Sequence, residues 1–276
     1  MMFFRFIYIA LIIAVLTMLT QIGGLVYIIS ILPHKFLQRK FRNKVVRNSL
    51  KFALFILLYS ITTFIIVPIL AKPFGRVQLP LTNTGNLKPL NFLTCFLNRN
   101  YVQPGLRTAA LDVTNKINNK FPGSVISYLD AGFPFIDGYP LFPHLSHNDG
   151  KKLDISFCYV DNKTGTATNL APSFTGYGIC EEPQEGEINT SDICKQAGSW
   201  QYSFLKNITP QENKQNFTFD VNRTKELVNL FVAQPSIEKI FIEPHLKARL
   251  KLRSSKVQFQ GCAAVRHDDH IHVQIK

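Results

Sequence analysis

The chain has 276 residues and carries 31 basic against 18 acidic side chains, a formal net charge of +13 at pH 7. No acidic residue precedes Asp112, whereas eight basic residues lie before position 72. The other 205 residues hold 23 basic and 18 acidic side chains, a mild surplus that fits adhesion to an anionic wall or membrane surface. The sequence contains no internal repeat and no Gly-rich phosphate-binding loop.

Two apolar runs, residues 6–32 and 52–71, lie near the N-terminus. They are 27 and 20 residues long, and a helix needs about 20 apolar residues to cross a bilayer. A cleaved signal peptide is the alternative for the first run, but the run is too long and no small-residue cleavage site follows it. The sequence therefore predicts two transmembrane helices.

The segment between the runs, residues 33–51, is strongly basic. It contains seven Lys and Arg residues and no Asp or Glu. Short loops of this kind remain in the cytoplasm, so we expect this loop inside and both chain termini outside. A basic segment can also bind nucleic acid, but its position between two membrane helices favours topology, with anionic lipid as a secondary contact.

Residues 72–100 are predicted to form a linker. Pro73, Gly75, Pro80 and Gly85 interrupt any regular pattern in this stretch. The 205 residues from position 72 onward suffice for one domain with a sizeable core, and we expect that domain at residues 101–276.

Hydrophobic periodicity predicts a short series of elements in this domain. We expect helices at residues 106–120, 224–234 and 244–250, and strands at 124–129 and 237–242. Residues 132–145 should line one wall of a cleft, with Tyr139, Phe142 and His144 as candidate substrate contacts. Residues 161–199 are polar and aperiodic, which is typical of a long surface loop. Strands and helices without a βαβ repeat favour an α+β fold with a small antiparallel sheet and flanking helices.

A candidate pair of metal ligands follows the predicted wall. His147 lies in a polar loop that ends at Gly150, and a strand of alternating apolar residues begins at Leu153. In that alternation Asp154 points to the face opposite the apolar residues. His144 precedes His147 by three positions and is expected to be a neighbour rather than a ligand.

The last eleven residues hold three of the seven histidines. Ile271, Val273 and Ile275 alternate with polar residues, which is the period of a β-strand. His270 and His272 therefore share one face, where both could bind a metal, or one could bind it while the other transfers protons. A surface strand with a chance pair of histidines is the alternative.

The two stretches complement each other chemically. One His and one Asp from the first and one His from the second make three ligands, and catalytic zinc keeps its fourth position open for water. Neither stretch is specific alone, but together they predict a zinc site.

At these residues the sequence resembles the zinc metallopeptidases of the lysostaphin/D-Ala-D-Ala peptidase group. That group's pattern is a His, six residues, an Asp and a later His-x-His, matched here by His147, Asp154, His270 and His272. The likeness is strongest to the penicillin-insensitive murein endopeptidases, which add a further His, matched by His267. It covers roughly residues 100–276 and departs from the family between positions 159 and 203.

The resemblance implies a role for each of these side chains. His147, Asp154 and His272 would hold Zn²⁺. His270 would act as general base and later acid, and His267 would stabilise the oxyanion or orient the water.

Two acidic residues, Asp268 and Asp269, stand next to these histidines. Either could hold the second nitrogen of an imidazole and so fix its tautomer. A solvated turn is the alternative for both.

The function implied by the resemblance is hydrolysis of peptide bonds in peptidoglycan. The predicted topology places the domain outside the bacterial cytoplasmic membrane, facing this substrate. Cleavage of cross-link peptides is the leading interpretation, and a D,D-carboxypeptidase acting on stem-peptide ends is the second. A non-catalytic, membrane-anchored domain that binds zinc or the cell wall is the non-enzymatic alternative, which the presence of His267 and His270 disfavours.

The five cysteines suit an exported domain with two disulfides and one free thiol. Cys180 with Cys194 is the favoured pair because it would close the polar loop. A cysteine zinc site is disfavoured, since no Cys-x-x-Cys spacing occurs.

Overall fold

The structure is a computed structural model that describes residues 2–142 and 144–276. Helices account for most of residues 2–70, and strands and helices follow one another without a βαβ repeat in the remainder. This element order confirms the α+β class predicted from the sequence.

The N-terminal part consists of helices joined by short turns. They are α1 Met2–Thr20, α2 Gly23–Ile31, α3 His34–Lys40, α4 Lys44–Ile61 and, after a π-helical turn at Thr62–Ile66, α5 Val67–Leu70. α1 ends where Gln21 adopts a left-handed conformation (φ 63°) and Thr20 Oγ1 accepts the Gly23 N–H at 2.8 Å. α2 then folds back along α1, where a Cβ on Gly24 would lie 2.0 Å from Thr17 Oγ1. A residue without a side chain is needed for this approach.

The prediction of two spanning helices is therefore not confirmed. Among the described residues, the one helix long and apolar enough to cross a membrane is the continuous segment Lys44–Leu70, of 27 residues. The apolar part of α1, Phe6–Thr20, is shorter. The single helix expected over residues 6–32 is wrong, because the chain reverses direction at Gln21. A hydropathy pattern records only how apolar the residues are, so it could not reveal this turn.

The remaining strands are β1 Val77–Gln78, β2 Leu87–Pro89, β3 Tyr101–Val102, β4 Ile126–Tyr128, β5 Lys152–Ser156, β6 Tyr159–Asp161, β7 Thr166–Thr168, β8 Phe217–Phe219, β9 Ile237–Phe241, β10 Val257–Gln258 and β11 His270–Ile275. The remaining helices are α6 Phe92–Phe96, α7 Pro104–Lys120, α8 Thr190–Gln196, α9 Phe204–Ile208, α10 Val221–Val232 and α11 Pro244–Arg249, with 3₁₀ turns at Lys72–Phe74, Trp200–Ser203 and Glu212–Asn216. The three helices and two strands predicted from periodicity are confirmed within a few residues.

The main sheet has six strands in the order β10-β9-β11-β5-β4-β2. Its four central strands, β9, β11, β5 and β4, pair antiparallel with one another, as predicted, but both edge pairs, β10 with β9 and β2 with β4, are parallel. Two smaller sheets, β7-β6-β8 and β1-β3, lie outside it.

The hydrophobic core lies on one face of the main sheet. Apolar residues of β5 and β11, including Leu153, Ile155, Ile271 and Val273, are fully buried there. α7 and α10 cover this face with their own buried residues, namely Leu106, Val113, Ile117, Leu227, Val228 and Phe231. At roughly 1.5–3 kcal/mol for each large apolar side chain, this burial holds the central strands in place.

Residues 72–100 are part of the domain and not the irregular linker that the sequence predicts. They contain β1, β2 and α6, and β2 is an edge strand of the main sheet. Leu79, Leu87 and Cys95 are completely buried. Elements of two to five residues are too short to produce a recognisable hydrophobic period.

The turn between α1 and α2 rests against the domain. Tyr139 Oη donates to the Thr17 carbonyl at 2.7 Å, and the Phe135 N–H donates to Gln21 Oε1 at 3.1 Å. Tyr139, a candidate substrate contact in the sequence, is therefore engaged by α1 instead.

The disulfide in the described residues joins Cys194 of α8 to Cys262, so the favoured pair Cys180–Cys194 is wrong. Cys95, Cys158 and Cys180 are free and buried. The partner of Cys194 lies 68 positions away, a separation that loop composition could not indicate.

Replacing Cys194 and Cys262 together by Ala is expected to lower the free energy of unfolding by roughly 2–4 kcal/mol, because the crosslink restricts the unfolded chain over a long segment. Chemical unfolding of the detergent-solubilised protein, followed by circular dichroism, measures this loss. The double variant Cys95→Ala/Cys158→Ala, which removes two buried sulfurs but no crosslink, is the control. Equal losses in the two double variants would contradict a role for the crosslink.

Candidate metal centre

Strand pairing brings the two candidate stretches together at the centre of the sheet. In the antiparallel register of β11 and β5, His272 lies directly opposite Asp154 and Ile271 lies opposite Ile155. Side chains alternate along a strand, so the isoleucines enter the core while His272 and Asp154 share the other face. His270, two positions before His272, shares that face too.

Three donor atoms meet on this face. Nδ1 of His272 lies 2.9 Å from Oδ1 of Asp154 and 3.1 Å from Nε2 of His147, and Nε2 of His147 lies 3.2 Å from Oδ1 of Asp154. All three side chains are buried. Ligands at about 2.0–2.1 Å from a tetrahedral ion lie about 3.3 Å from one another, so this triangle has close to the size of one face of such a site.

The protonation of the two imidazoles suits metal binding. Nδ1 of His147 lies 2.8 Å from the Ala131 carbonyl and donates to it, so Nε2 presents a lone pair to the triangle. Burial lowers the pKa of His272 to about 4 despite the carboxylate of Asp154, so this ring is neutral near pH 7. Neutral imidazole is the form that binds metals.

The second oxygen of Asp154 is engaged on the other side. Tyr177 Oη donates to Oδ2 of Asp154 at 2.8 Å, and Nδ1 of His144 lies 3.2 Å from the same atom. Burial lowers the pKa of His144, but the nearby carboxylates of Asp130 and Asp154 outweigh it and raise that pKa to about 9. Arg99 completes the series by donating to Asp130 at 2.6 Å.

His270 is oriented by a carboxylate. Its Nδ1 donates to Oδ1 of Asp269 at 2.5 Å, and Oδ2 of Asp269 accepts the Gly178 N–H at 2.5 Å. Nε2 of His270 consequently faces the triangle, 3.6 Å from Oδ1 of Asp154. Burial lowers the pKa of His270, but the carboxylates of Asp154 and Asp269 raise it above its usual value.

His267 is held through its backbone. Its N–H donates to Oε1 of Glu243 at 3.1 Å, and its ring centroid lies 4.9 Å from that of His270. Burial, together with the neighbouring imidazoles of His270 and His272, holds the pKa of His267 well below its usual value. The ring is therefore neutral and can donate one proton in a hydrogen bond.

The two acidic residues Asp268 and Asp269 have different partners. Asp269 orients His270, as one of the two was expected to do, whereas Asp268 accepts several hydrogen bonds from Arg266. Burial raises the pKa of Asp268 to about 7 in spite of that guanidinium. Neither residue is exposed, so the alternative of a solvated turn is wrong.

The segment 161–199 contributes to the centre although its composition predicts a surface loop. Tyr177, Ile179, Cys180 and Glu181 are buried, and Tyr177 and Gly178 contact the two carboxylates described above. Sequence reasoning missed Tyr177. The one available signal was its position between two glycines in an otherwise polar stretch.

The centre lies at the base of a cleft of about 660 Å³. One wall comes from the segment predicted for it, with Phe142, His144 and Leu145. The opposite walls contain Trp200, Gln201, Phe204, Leu205, Gln260, Ala263, Ala264 and Val265. The Cys194–Cys262 disulfide connects these two stretches. Cys194 precedes residues 200–205, and Cys262 lies within residues 260–265.

Two buried groups of three residues, His144 with His147 and Asp154, and His267 with His270 and His272, each keep their ligand atoms within 4.8 Å of one another. The centre could therefore hold a metal ion. No protein-family model matches the chain, and no curated protein matches it.

Single replacements His147→Ala, Asp154→Ala and His272→Ala are each expected to abolish stoichiometric binding of a divalent metal, because each removes one corner of the triangle. Elemental analysis of the purified variants measures the metal content. His267→Ala and His270→Ala serve as controls and are expected to keep one ion per chain. Full metal content in any of the three triangle variants would show that the ligand assignment is wrong.

Proposed function

We propose that the chain is a membrane-anchored, zinc-dependent peptidase that cleaves cross-link peptides of peptidoglycan. The observation that carries the proposal is the triangle of His147 Nε2, Asp154 Oδ1 and His272 Nδ1, with edges of 2.9–3.2 Å and with His270 directed at it. The resemblance to the murein endopeptidases supplies the substrate class.

The donor set fits zinc. Two neutral imidazole nitrogens and one carboxylate oxygen are zinc ligands in proteins, and three protein ligands with an open position are typical of catalytic zinc. Zinc bound there would supply Lewis acidity, polarising a peptide carbonyl and lowering the pKa of water to about 7. The cleft above the triangle leaves room for the substrate.

His270 is placed to move the proton. In the neutral form of this ring Asp269 holds the Nδ1–H, so the lone pair is on Nε2, on the side of the triangle. Nε2 takes a proton from the attacking water and later delivers it to the leaving amine. The carboxylate of Asp269 stabilises the imidazolium formed in between, in the way that a buried carboxylate supports a catalytic histidine.

His267 has the complementary role. Its low pKa keeps the ring neutral, and the one N–H of the neutral ring can donate to the oxyanion. The hydrogen bond from its backbone to Glu243 fixes its position relative to His270. A carboxypeptidase acting on stem-peptide ends would use the same side chains, so that alternative differs only in where the cleft binds its peptide.

Digestion of purified cross-linked and uncross-linked muropeptides, with products identified by mass, tests the function. Cross-linked dimers are expected to yield monomers. Loss of a single terminal D-Ala would instead favour the carboxypeptidase. Tight binding without any product would favour the non-catalytic wall-binding domain.

The variant His270→Ala is expected to keep its zinc while turnover of cross-linked muropeptides falls by about 10²–10⁴-fold, the usual contribution of a positioned acid–base group. His267→Ala is expected to lose roughly 10²–10³-fold, as for one oxyanion donor. His245→Ala is the control, because this buried histidine donates to the Glu181 carbonyl and does not line the cleft. Wild-type turnover by His270→Ala would refute the proposed mechanism.

Membrane anchoring is supported by the apolar surface of the N-terminal helices. On the segment Lys44–Leu70, side chains such as Leu57, Ile65 and Ile69 are more than half exposed. Contiguous apolar surface of this kind favours a lipid environment. The basic segment 33–51 includes the first residues of this helix, at the end remote from the domain. The positive-inside tendency therefore favours a cytoplasmic basic segment and an extracytoplasmic domain.

The same arrangement favours a cytoplasmic N-terminus, in contrast to the outside location expected from the sequence. α1 ends at the turn that contacts Phe135 and Tyr139, so its first residues lie toward the basic segment. A reporter fused after Lys276 is expected to be active only outside the cytoplasm, and a reporter fused to the N-terminus only inside it. Equal reporter activity at the two ends would contradict this topology.

A further inference from the structure

The two carboxylate oxygens of Asp154 have separate environments. Oδ1 faces the triangle, where His147 and His272 lie within 3.2 Å of it. Oδ2 points away and receives the Tyr177 hydroxyl at 2.8 Å, with His144 Nδ1 at 3.2 Å. The tyrosine bond is the shorter of these two contacts, and a carboxylate gripped through one oxygen cannot turn freely about its side-chain torsion.

Tyr177 is itself held firmly. Its ring is buried and packs edge-on against His144 at 4.4 Å and His270 at 5.0 Å between centroids. Gly176 and Gly178 on either side have φ of 86° and 81°, and a Cβ on Gly176 would lie 2.3 Å from the Leu129 side chain. The backbone around Tyr177 thus follows a path that requires glycine on both sides.

Gly178, the residue after Tyr177, helps to position His270 through Asp269. The Gly178 N–H donates to Oδ2 of Asp269, whose other oxygen orients His270. Gln211 donates in turn to the Gly178 carbonyl at 2.8 Å. One short segment therefore contacts the outer oxygen of a candidate metal ligand and the outer oxygen of the carboxylate behind the candidate base.

We propose that Tyr177 is a positioning residue that occupies Oδ2 of Asp154, so that this carboxylate offers a metal only Oδ1. The proposal rests on the proposed function, since it requires a metal at His147, Asp154 and His272. Tyr177 does not itself line the cleft, and its hydroxyl reaches the triangle only through Asp154. Its hydroxyl fixes the direction of the carboxylate, so that His147, Asp154 and His272 would each offer a bound ion one donor atom.

The test is Tyr177→Phe, which removes the hydroxyl and keeps the ring and its packing. The dissociation constant for zinc, measured by competition with a chromophoric chelator, is expected to rise by about 10–100-fold, the usual effect of losing a hydrogen bond to a metal ligand. The visible absorption of the cobalt(II)-substituted protein is expected to change as well, because the released Oδ2 can approach the ion and raise its coordination number.

Tyr159→Phe is the matched control. Tyr159 is equally buried, but its hydroxyl has no hydrogen-bond partner among the described residues, so this variant is expected to keep the wild-type zinc affinity and cobalt spectrum. Melting temperatures of the metal-free proteins separate positioning from folding. Similar melting temperatures with weaker zinc binding only in Tyr177→Phe support the proposal.

Two results overturn it. One is wild-type affinity together with an unchanged cobalt spectrum in Tyr177→Phe. The other is a loss of affinity matched by an equal loss in Tyr159→Phe. Failure of the proposed function is recognised separately: without a metal site the wild-type chain would bind no stoichiometric zinc, and without peptidase activity it would bind zinc but release no product from muropeptides.

Discussion

The structure depends on the register between β11 and β5. This register sets Asp154 opposite His272 on one face of the sheet and places Ile271 and Val273 in the core on the other. A slip of one residue would exchange the two faces, burying imidazoles under α7 and α10 and turning isoleucine toward the cleft. β11 also pairs with β9 on its other side, so the register is secured by two strands and by apolar packing. The packing and strand pairing that stabilise the core therefore also bring the candidate metal ligands together.

A second constraint is the number of ionisable groups buried together. Isolated charges in such an environment are costly, and each one here has a partner. Arg99 neutralises Asp130, which supports His144, and Asp269 supports His270. The guanidinium of Arg266 does the same for Asp268 on the other flank. Asp154 is held by the Tyr177 hydroxyl and by His144, so its charge too has partners within the protein.

The parts of the fold that surround the centre are connected to one another rather than independent. The disulfide from α8 to Cys262 joins two walls of the cleft. The segment that contains Phe135 and Tyr139 contacts the turn between α1 and α2 and continues into the cleft wall that contains His144 and Leu145. Because residues 72–100 supply a strand of the main sheet, the helical part meets the domain through packed structure and not through a flexible tether. The cleft therefore has a fixed position relative to the apolar helices.

The sequence by itself determined the two central strands, the face of each candidate ligand and the helices that cover the core. These follow from local periodicity, since side-chain direction in a strand or helix depends only on position along it. The bond of Tyr177 to Asp154, the bond of Gly178 to Asp269 and the Cys194–Cys262 disulfide were decided by tertiary structure. Each joins residues whose separation in the chain leaves no periodic trace, and the same holds for the reversal at Gln21. Apolarity predicted that residues 6–32 prefer a nonpolar environment, but the close packing of Gly24 on α1 decided that they form two helices.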